Sequence, residues 1–289
     1  MGTLSQDAFL NSSSDGAKAK DKDKIRLWFP SDTEENWNHN INHPQGKVRL
    51  KESGWIKSGT TDQPKEILYR INKNGYRHDH IIPTRLEHKC AFFLGCSNMF
   101  GVGIHEKHTI PYLFQQRLNQ EANTLTCINF GQPGGSLDAC TRVAMAWAPI
   151  LKPKLICLLM PPGLRRELWR PPSMNEHMVD EGNTWLQYGV RSTISTGYTE
   201  LVERVFISPQ EEMVNTTKNL WALKGISLNY GARFLVATAH QVPESLGKET
   251  ICRARDLKHF SSKWHEWIAN YFFTQYTENN TSYIPDNTY

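Results

Sequence analysis

The residues best suited to chemistry lie at two distant places in the chain. Around its first third, Gly95-Cys96-Ser97-Asn98-Met99-Phe100-Gly101-Val102-Gly103 sets a serine among three glycines. Glycine permits tight turns and close backbone approach. A serine at the turn from a strand into a helix lifts its hydroxyl over the sheet edge, where amides at the helix start face any oxyanion. Near the other end, Arg255-Asp256-Leu257-Lys258-His259-Phe260-Ser261 puts an aspartate three residues before a histidine. A hydroxyl is a weak nucleophile at neutral pH and needs a base within hydrogen-bond reach. Histidine titrates in the right range for that task, and a carboxylate beside it fixes the tautomer and stabilises the imidazolium. Ser97, His259 and Asp256 are thus candidates for a nucleophile, its base and the carboxylate that orients the base.

Each motif alone is also compatible with plain structure. The loop can be a structural glycine turn, and an Asp-x-x-His arises by chance in a chain with 11 histidines. A phosphate-cradling loop is disfavoured, because neither GxGxxG nor GxxxxGK[ST] is present. A metal pair would need a further His, Cys or Glu cluster, and none is evident.

These residues need elements to position them. Residues 91–94 (AFFL), 125–128 (LTCI), 155–160 and 234–237 (FLVA) are short apolar runs that read as buried strands. Helical spacing occupies about 110–118, 136–150 behind a Ser136 cap, 211–228, and 259–273, where Trp264, Trp267, Ile268 and Tyr271 share a face. Strands alternating with helices predict a parallel sheet covered on both faces. Ligands then bind at the carboxyl ends of the strands, in the loops after residues 94, 129, 160 and 239. Residues 1–24 read as a disordered polar tail, 25–88 as an N-terminal extension with lead-in strands, 89–275 as the main domain, and 276–289 as a second tail. Residues 163–208 are a long excursion rich in Trp, Pro, Arg and Tyr, which reads as a cap or lid over the site.

Composition removes several classes of function. The net charge of +4, from 33 basic and 29 acidic residues, is too mild for a nucleic-acid partner. No run of about 18 apolar residues exists to span a membrane, and the N-terminus lacks a signal peptide's apolar core. Cytoplasmic residence is therefore expected, although a viral or non-classical setting is compatible with the same sequence. The six cysteines are scattered without a CxxC pair and are expected to be reduced, buried thiols.

Taken in order, these pieces resemble the SGNH/GDSL hydrolase superfamily over about residues 67–272. Phe93 to Gly103 is similar to the family's first block, a hydrophobic strand followed by Gly-Asp-Ser and a Gly-x-Gly segment. Ile128-Asn129-Phe130-Gly131-Gln132-Pro133-Gly134-Gly135-Ser136 is similar to the second, whose glycine amide lines the oxyanion hole. Arg255 to Ser261 resembles the last, and Tyr69 to Arg77 resembles an Asn-x-x-Gly-Tyr/Phe-Arg lead-in. The resemblance implies a flavodoxin-like three-layer α/β/α sandwich and a serine esterase acting without cofactor or metal. Its triad would be Ser97, His259 and Asp256, and its oxyanion donors the amides of Ser97 and Gly134. A small acyl ester, such as an O-acetyl group on a carbohydrate, would be the substrate.

The chain departs from that pattern twice. Cys96 stands where the Asp of Gly-Asp-Ser is usual, placing a thiol beside the serine and making Cys96 a rival nucleophile. The third block, usually Gly-x-Asn-Asp, reads Met160-Pro161-Pro162-Gly163-Leu164-Arg165-Arg166-Glu167 and has no asparagine. Arg165 or Arg166 can supply a charged donor in its place; the plainer alternative is a surface ion pair with Glu167. Two other functions remain in play: acyl transfer to an alcohol by the same serine, and a catalytically degenerate module that binds glycan or protein. The oligomeric state is not legible in the sequence.

Overall fold

The computed structural model describes residues 24–29, 32–56, 66–77, 89–121, 125–169, 185–188, 208–239 and 253–278. Among the described residues, the first elements are strand β1 (Lys24–Arg26), helices α1 (Glu34–Asn42) and α2 (Pro44–Glu52), and strand β2 (Tyr69–Ile71), which pairs antiparallel with β1. Strand β3 (Cys90–Leu94) leads into a single helical turn, α3 (Ser97–Phe100), and then helix α4 (Ile110–Gln120). Strand β4 (Thr126–Asn129), helix α5 (Leu137–Leu151) and strand β5 (Leu155–Leu159) follow. A short antiparallel pair, β6 (Arg166–Trp169) and β7 (Trp185–Tyr188), precedes helix α6 (Pro209–Asn229), strand β8 (Arg233–Ala237) and helix α7 (Ser262–Thr277).

The central sheet has the order β4-β3-β5-β8, and all its pairings are parallel. CAFFL and LICLL are buried at every position, as strands covered on both faces must be. Side chains alternate between the faces. Phe92, Leu94, Ile156 and Leu158 join Leu137, Val143 and Trp147 of α5 and Leu220 and Leu223 of α6 in one core. Ala91, Phe93, Cys157 and Leu159 join Ile110 and Phe114 of α4 and Trp264, Ile268 and Phe272 of α7 in the other. Two helices on each face make the expected three-layer α/β/α arrangement.

Local sequence explains where the helices begin. Ser136 caps α5 by accepting from the Ala139 amide at 3.2 Å, and Ser208 caps α6 through the Glu211 amide at 3.1 Å. The last helix starts three residues later than its apolar spacing implied, at Ser262 behind a Ser261 cap. Residues 256–259 are held in a side-chain turn instead: Asp256 Oδ1 accepts from the amides of Lys258 (3.0 Å) and His259 (3.1 Å).

The N-terminal segment packs against the site side of the domain. Phe29, Trp37, Leu50 and Tyr69 form a third core with Phe100, Val102 and Ile104 from the serine loop and Ala254 and Leu257 from the histidine loop. Most of residues 163–208, the tail up to residue 23, His240 and Cys252 lie outside the described residues. The other five cysteines are buried and free. Among the described residues no helix is long and apolar enough to cross a membrane.

Candidate active site

The serine loop is built by a one-turn helix at the carboxyl end of β3. Cys96 is the N-cap of α3, and Gly101, at φ +83°, closes the turn by donating its amide to Ser97 O. A left-handed residue there suits glycine. Ser97 is the first residue of the turn, so its own amide points away from the helix. The side chain is largely buried, at 8% exposure.

The histidine loop brings the other two groups to it. His259 Nε2 lies 2.7 Å from Ser97 Oγ, and His259 Nδ1 lies 2.6 Å from Asp256 Oδ2. With Nδ1 protonated and donating to Asp256, Nε2 is the acceptor for the serine hydroxyl, which is the arrangement a general base needs. The Asp256 side chain is fully enclosed while that of His259 is 16% exposed. The carboxylate is thereby shut off from water and the imidazole edge stays reachable. Burial pushes the Asp256 carboxyl up, but the hydrogen bond and charge of His259, with the two loop amides, outweigh it and hold the group below its ordinary value.

The two loops meet at Gly103. Its carbonyl accepts from the Arg255 amide at 2.9 Å. A Cβ there would sit 2.8 Å from the Ala254 side chain, and φ is +76°, so only glycine fits without movement.

The second loop, after β4, is pressed onto the serine turn. Asn129 Oδ1 accepts from Gly131 N at 2.9 Å, and Gln132 N donates to Gly95 O at 3.0 Å. A Cβ on Gly131 would land on the Phe100 amide. Gly134 is at φ +78° with open space in front of it. Among the described residues, the amides of Ser97 and Gly134 have no hydrogen-bond partner.

The two arginines after β5 separate in role. Arg165 is half-buried and reaches the Gly135 carbonyl through Nη1 at 3.3 Å, beside Gly134. Arg166 is buried, and its guanidinium donates to Gly163 O (2.6 Å), Arg165 O (3.1 Å) and Glu211 O (2.9 Å). It braces the loop against α6. Glu167 pairs with Arg142 of α5 at 2.7 and 3.0 Å. Cys96 Sγ lies 4.0 Å from Ser97 Oγ, and it is Ser97 that holds the His259 contact. The His105 ring is stacked 6.2 Å from that of Trp55. Burial first, then the charges of His108 and Lys107, push it down to about 4. Among the described residues there is no group of three or more His, Cys, Asp or Glu side chains that could hold a metal ion.

Sequence reasoning missed the part played by Arg77. Arg77, quoted only as part of a lead-in, is buried and donates to the carbonyls of Gly101 (2.5 Å) and Ile104 (3.0 Å), bracing the serine loop from behind.

No family model matches the chain, and no curated protein matches it significantly. Among solved structures it is similar to the psychrotrophic esterase EstA from Pseudoalteromonas sp. inhibited by monoethylphosphonate, at 12% identity and a TM-score of 0.41, covering 66% of this chain and 100% of that one. It is similar to AlinE4, an SGNH-hydrolase family esterase, at 14% identity and a TM-score of 0.33, covering 70% and 86%. A Clostridium thermocellum family 3 carbohydrate esterase gives 13% identity and a TM-score of 0.36, covering 67% and 98%. These likenesses are distant, and the functional conclusion rests on side-chain geometry.

Proposed function

We propose that this chain is a serine esterase of SGNH type, cleaving a small acyl ester through an acyl-enzyme. The observation that carries the reading is the unbroken relay from Ser97 Oγ to His259 Nε2 (2.7 Å) and from His259 Nδ1 to Asp256 Oδ2 (2.6 Å). Ser97 Oγ attacks the ester carbonyl carbon while His259 takes its proton. The carbonyl oxygen, now negative, is held by the amides of Ser97 and Gly134. Arg165, beside Gly135, supplies the charged donor where an asparagine is usual. His259 then gives its proton to the leaving alcohol, and the acyl group stays on Ser97. Water repeats the sequence in reverse, delivering the carboxylic acid and restoring the serine. Asp256 stays ionised throughout, which keeps Nδ1 protonated and steadies the imidazolium.

Hydrolysis of a chromogenic acetate ester by purified protein tests this, with Ser97→Ala as control. Turnover that vanishes in the variant supports it, and an unchanged rate ends it. A degenerate binding module has no use for a proton relay aimed at a serine, so the relay favours the enzyme. Transfer to an alcohol acceptor shares the same acyl-enzyme, and product analysis with and without acceptor distinguishes it. An O-acetylated carbohydrate is the substrate class we put forward for screening.

A further inference from the structure

A second set of buried polar residues lies behind the triad and takes no part in the steps above. Arg255, immediately before Asp256, is 1% exposed and forms a two-pronged ion pair with Asp32: Nε to Oδ1 at 2.9 Å and Nη2 to Oδ2 at 2.6 Å. The same guanidinium donates to Leu27 O at 2.8 Å and stacks on the Trp28 ring at 4.0 Å. Tyr69, also buried, donates its hydroxyl to Asp32 Oδ2 at 2.5 Å and accepts the Gly103 amide at 2.8 Å. Gly103 O in turn accepts the Arg255 amide. The bonds close into a ring: Asp32, Arg255, Gly103, Tyr69, and back to Asp32. One member belongs to the serine loop and one to the histidine loop, and the remaining two come from the N-terminal segment.

We propose that Asp32 and Tyr69 are positioning residues, which lock the Asp256–His259 loop onto the serine loop and make the N-terminal segment part of the active site. The inference rests on the esterase reading for its purpose, though not for its geometry. A buried ion pair seldom adds net stability, because desolvating both charges offsets their attraction. What it can supply is a single geometry, and a relay with bonds of 2.6 and 2.7 Å tolerates little drift. Neither Asp32 nor Tyr69 reaches a triad atom, so their effect passes through Arg255 and Gly103.

The test uses the full chain with Tyr69→Phe, which removes one oxygen and no charge, and Asp32→Asn. Two quantities are read on folded protein: the rate at which a fluorophosphonate labels Ser97, and the NMR signals of the His259 ring. Both variants should label about 10²-fold more slowly, the loss that a displacement of about 1 Å can cause. They should also show His259 signals that are shifted or doubled as the ring leaves Asp256. A variant that melts earlier while its labelling rate and His259 signals match wild type overturns the proposal and leaves a purely structural role. If wild-type protein is not labelled at all, the esterase reading falls, and the His259 signals alone decide whether the clamp exists. Should Asp32→Asn fail to fold, Tyr69→Phe decides.

Discussion

At the scale of single residues, the proposed mechanism asks something different of each side chain it uses. Removing the Ser97 hydroxyl deletes the nucleophile, and Ser97→Ala should abolish turnover with an unchanged thermal midpoint. Asp256→Asn keeps the shape but allows the wrong imidazole tautomer, so kcat should fall by about 10⁴-fold. Arg165→Ala should lower kcat by about 10²-fold or more with little change in KM, as the loss of a donor to the oxyanion does. Steady-state kinetics with an acetate ester checks both, and a KM effect alone would remove Arg165 from the oxyanion site. Because the folded Asp256 carboxyl is held below its ordinary value, its contribution to stability is complete above about pH 4. It is lost only as pH falls through the lower folded value. This scale was the most legible in the sequence. Asp256 and His259 share one short stretch, and Ser97 is marked by its glycines. Asp32 was not legible, since its partner lies 223 residues away and nothing local marks it.

At the scale of elements, the strands were readable because CAFFL and LICLL are uniformly apolar. Helix α1 was not, since EENWNHNIN buries only Trp37 and Ile41 and carries no clear period. The start of α7 was misplaced because the side-chain turn at Asp256 holds residues 256–259 and Ser261 caps the helix. That helix carries His265, which is fully buried, and its two ring nitrogens bond to no described residue. Desolvation chiefly, with the charges of His259, Arg77 and His108, pushes it down to about 3. The folded protein therefore binds this proton less readily than the unfolded chain, and stability declines as pH drops below about 6.5. At pH 5 the loss is about 2 kcal/mol. In His265→Phe, the fall in unfolding free energy between pH 7 and pH 5 should shrink by about that amount, measured by urea titration. An identical fall in both proteins would show that His265 is not buried as a neutral base. The loop after β4 is equally exacting: Gly131→Ala forces its methyl against the Phe100 amide, and should cost about 1–3 kcal/mol along with activity.

At the scale of the whole molecule, two cores hold the sheet and a third fastens the N-terminal segment to the loops that act. The alternation of strands and helices, with the family resemblance, anticipated the sandwich. They did not anticipate the third core, because Trp37, Leu50 and Tyr69 become a cluster only when residues from 100–104 and 254–257 arrive. The ion pair between Arg142 and Glu167 ties α5 to β6 with both side chains nearly inaccessible. Glu167→Ala should therefore destabilise the fold by about 3–5 kcal/mol, since it removes the carboxylate that neutralises a buried guanidinium. Chemical denaturation would record it. These links converge on one serine. Treating purified protein with a fluorophosphonate, and locating the adduct by mass spectrometry, tests its activation most directly. An adduct confined to Ser97, formed in wild type and lost in His259→Ala, is the expected result. Folded wild-type protein that gains no adduct, or gains it equally without His259, would contradict the claim that this relay activates Ser97.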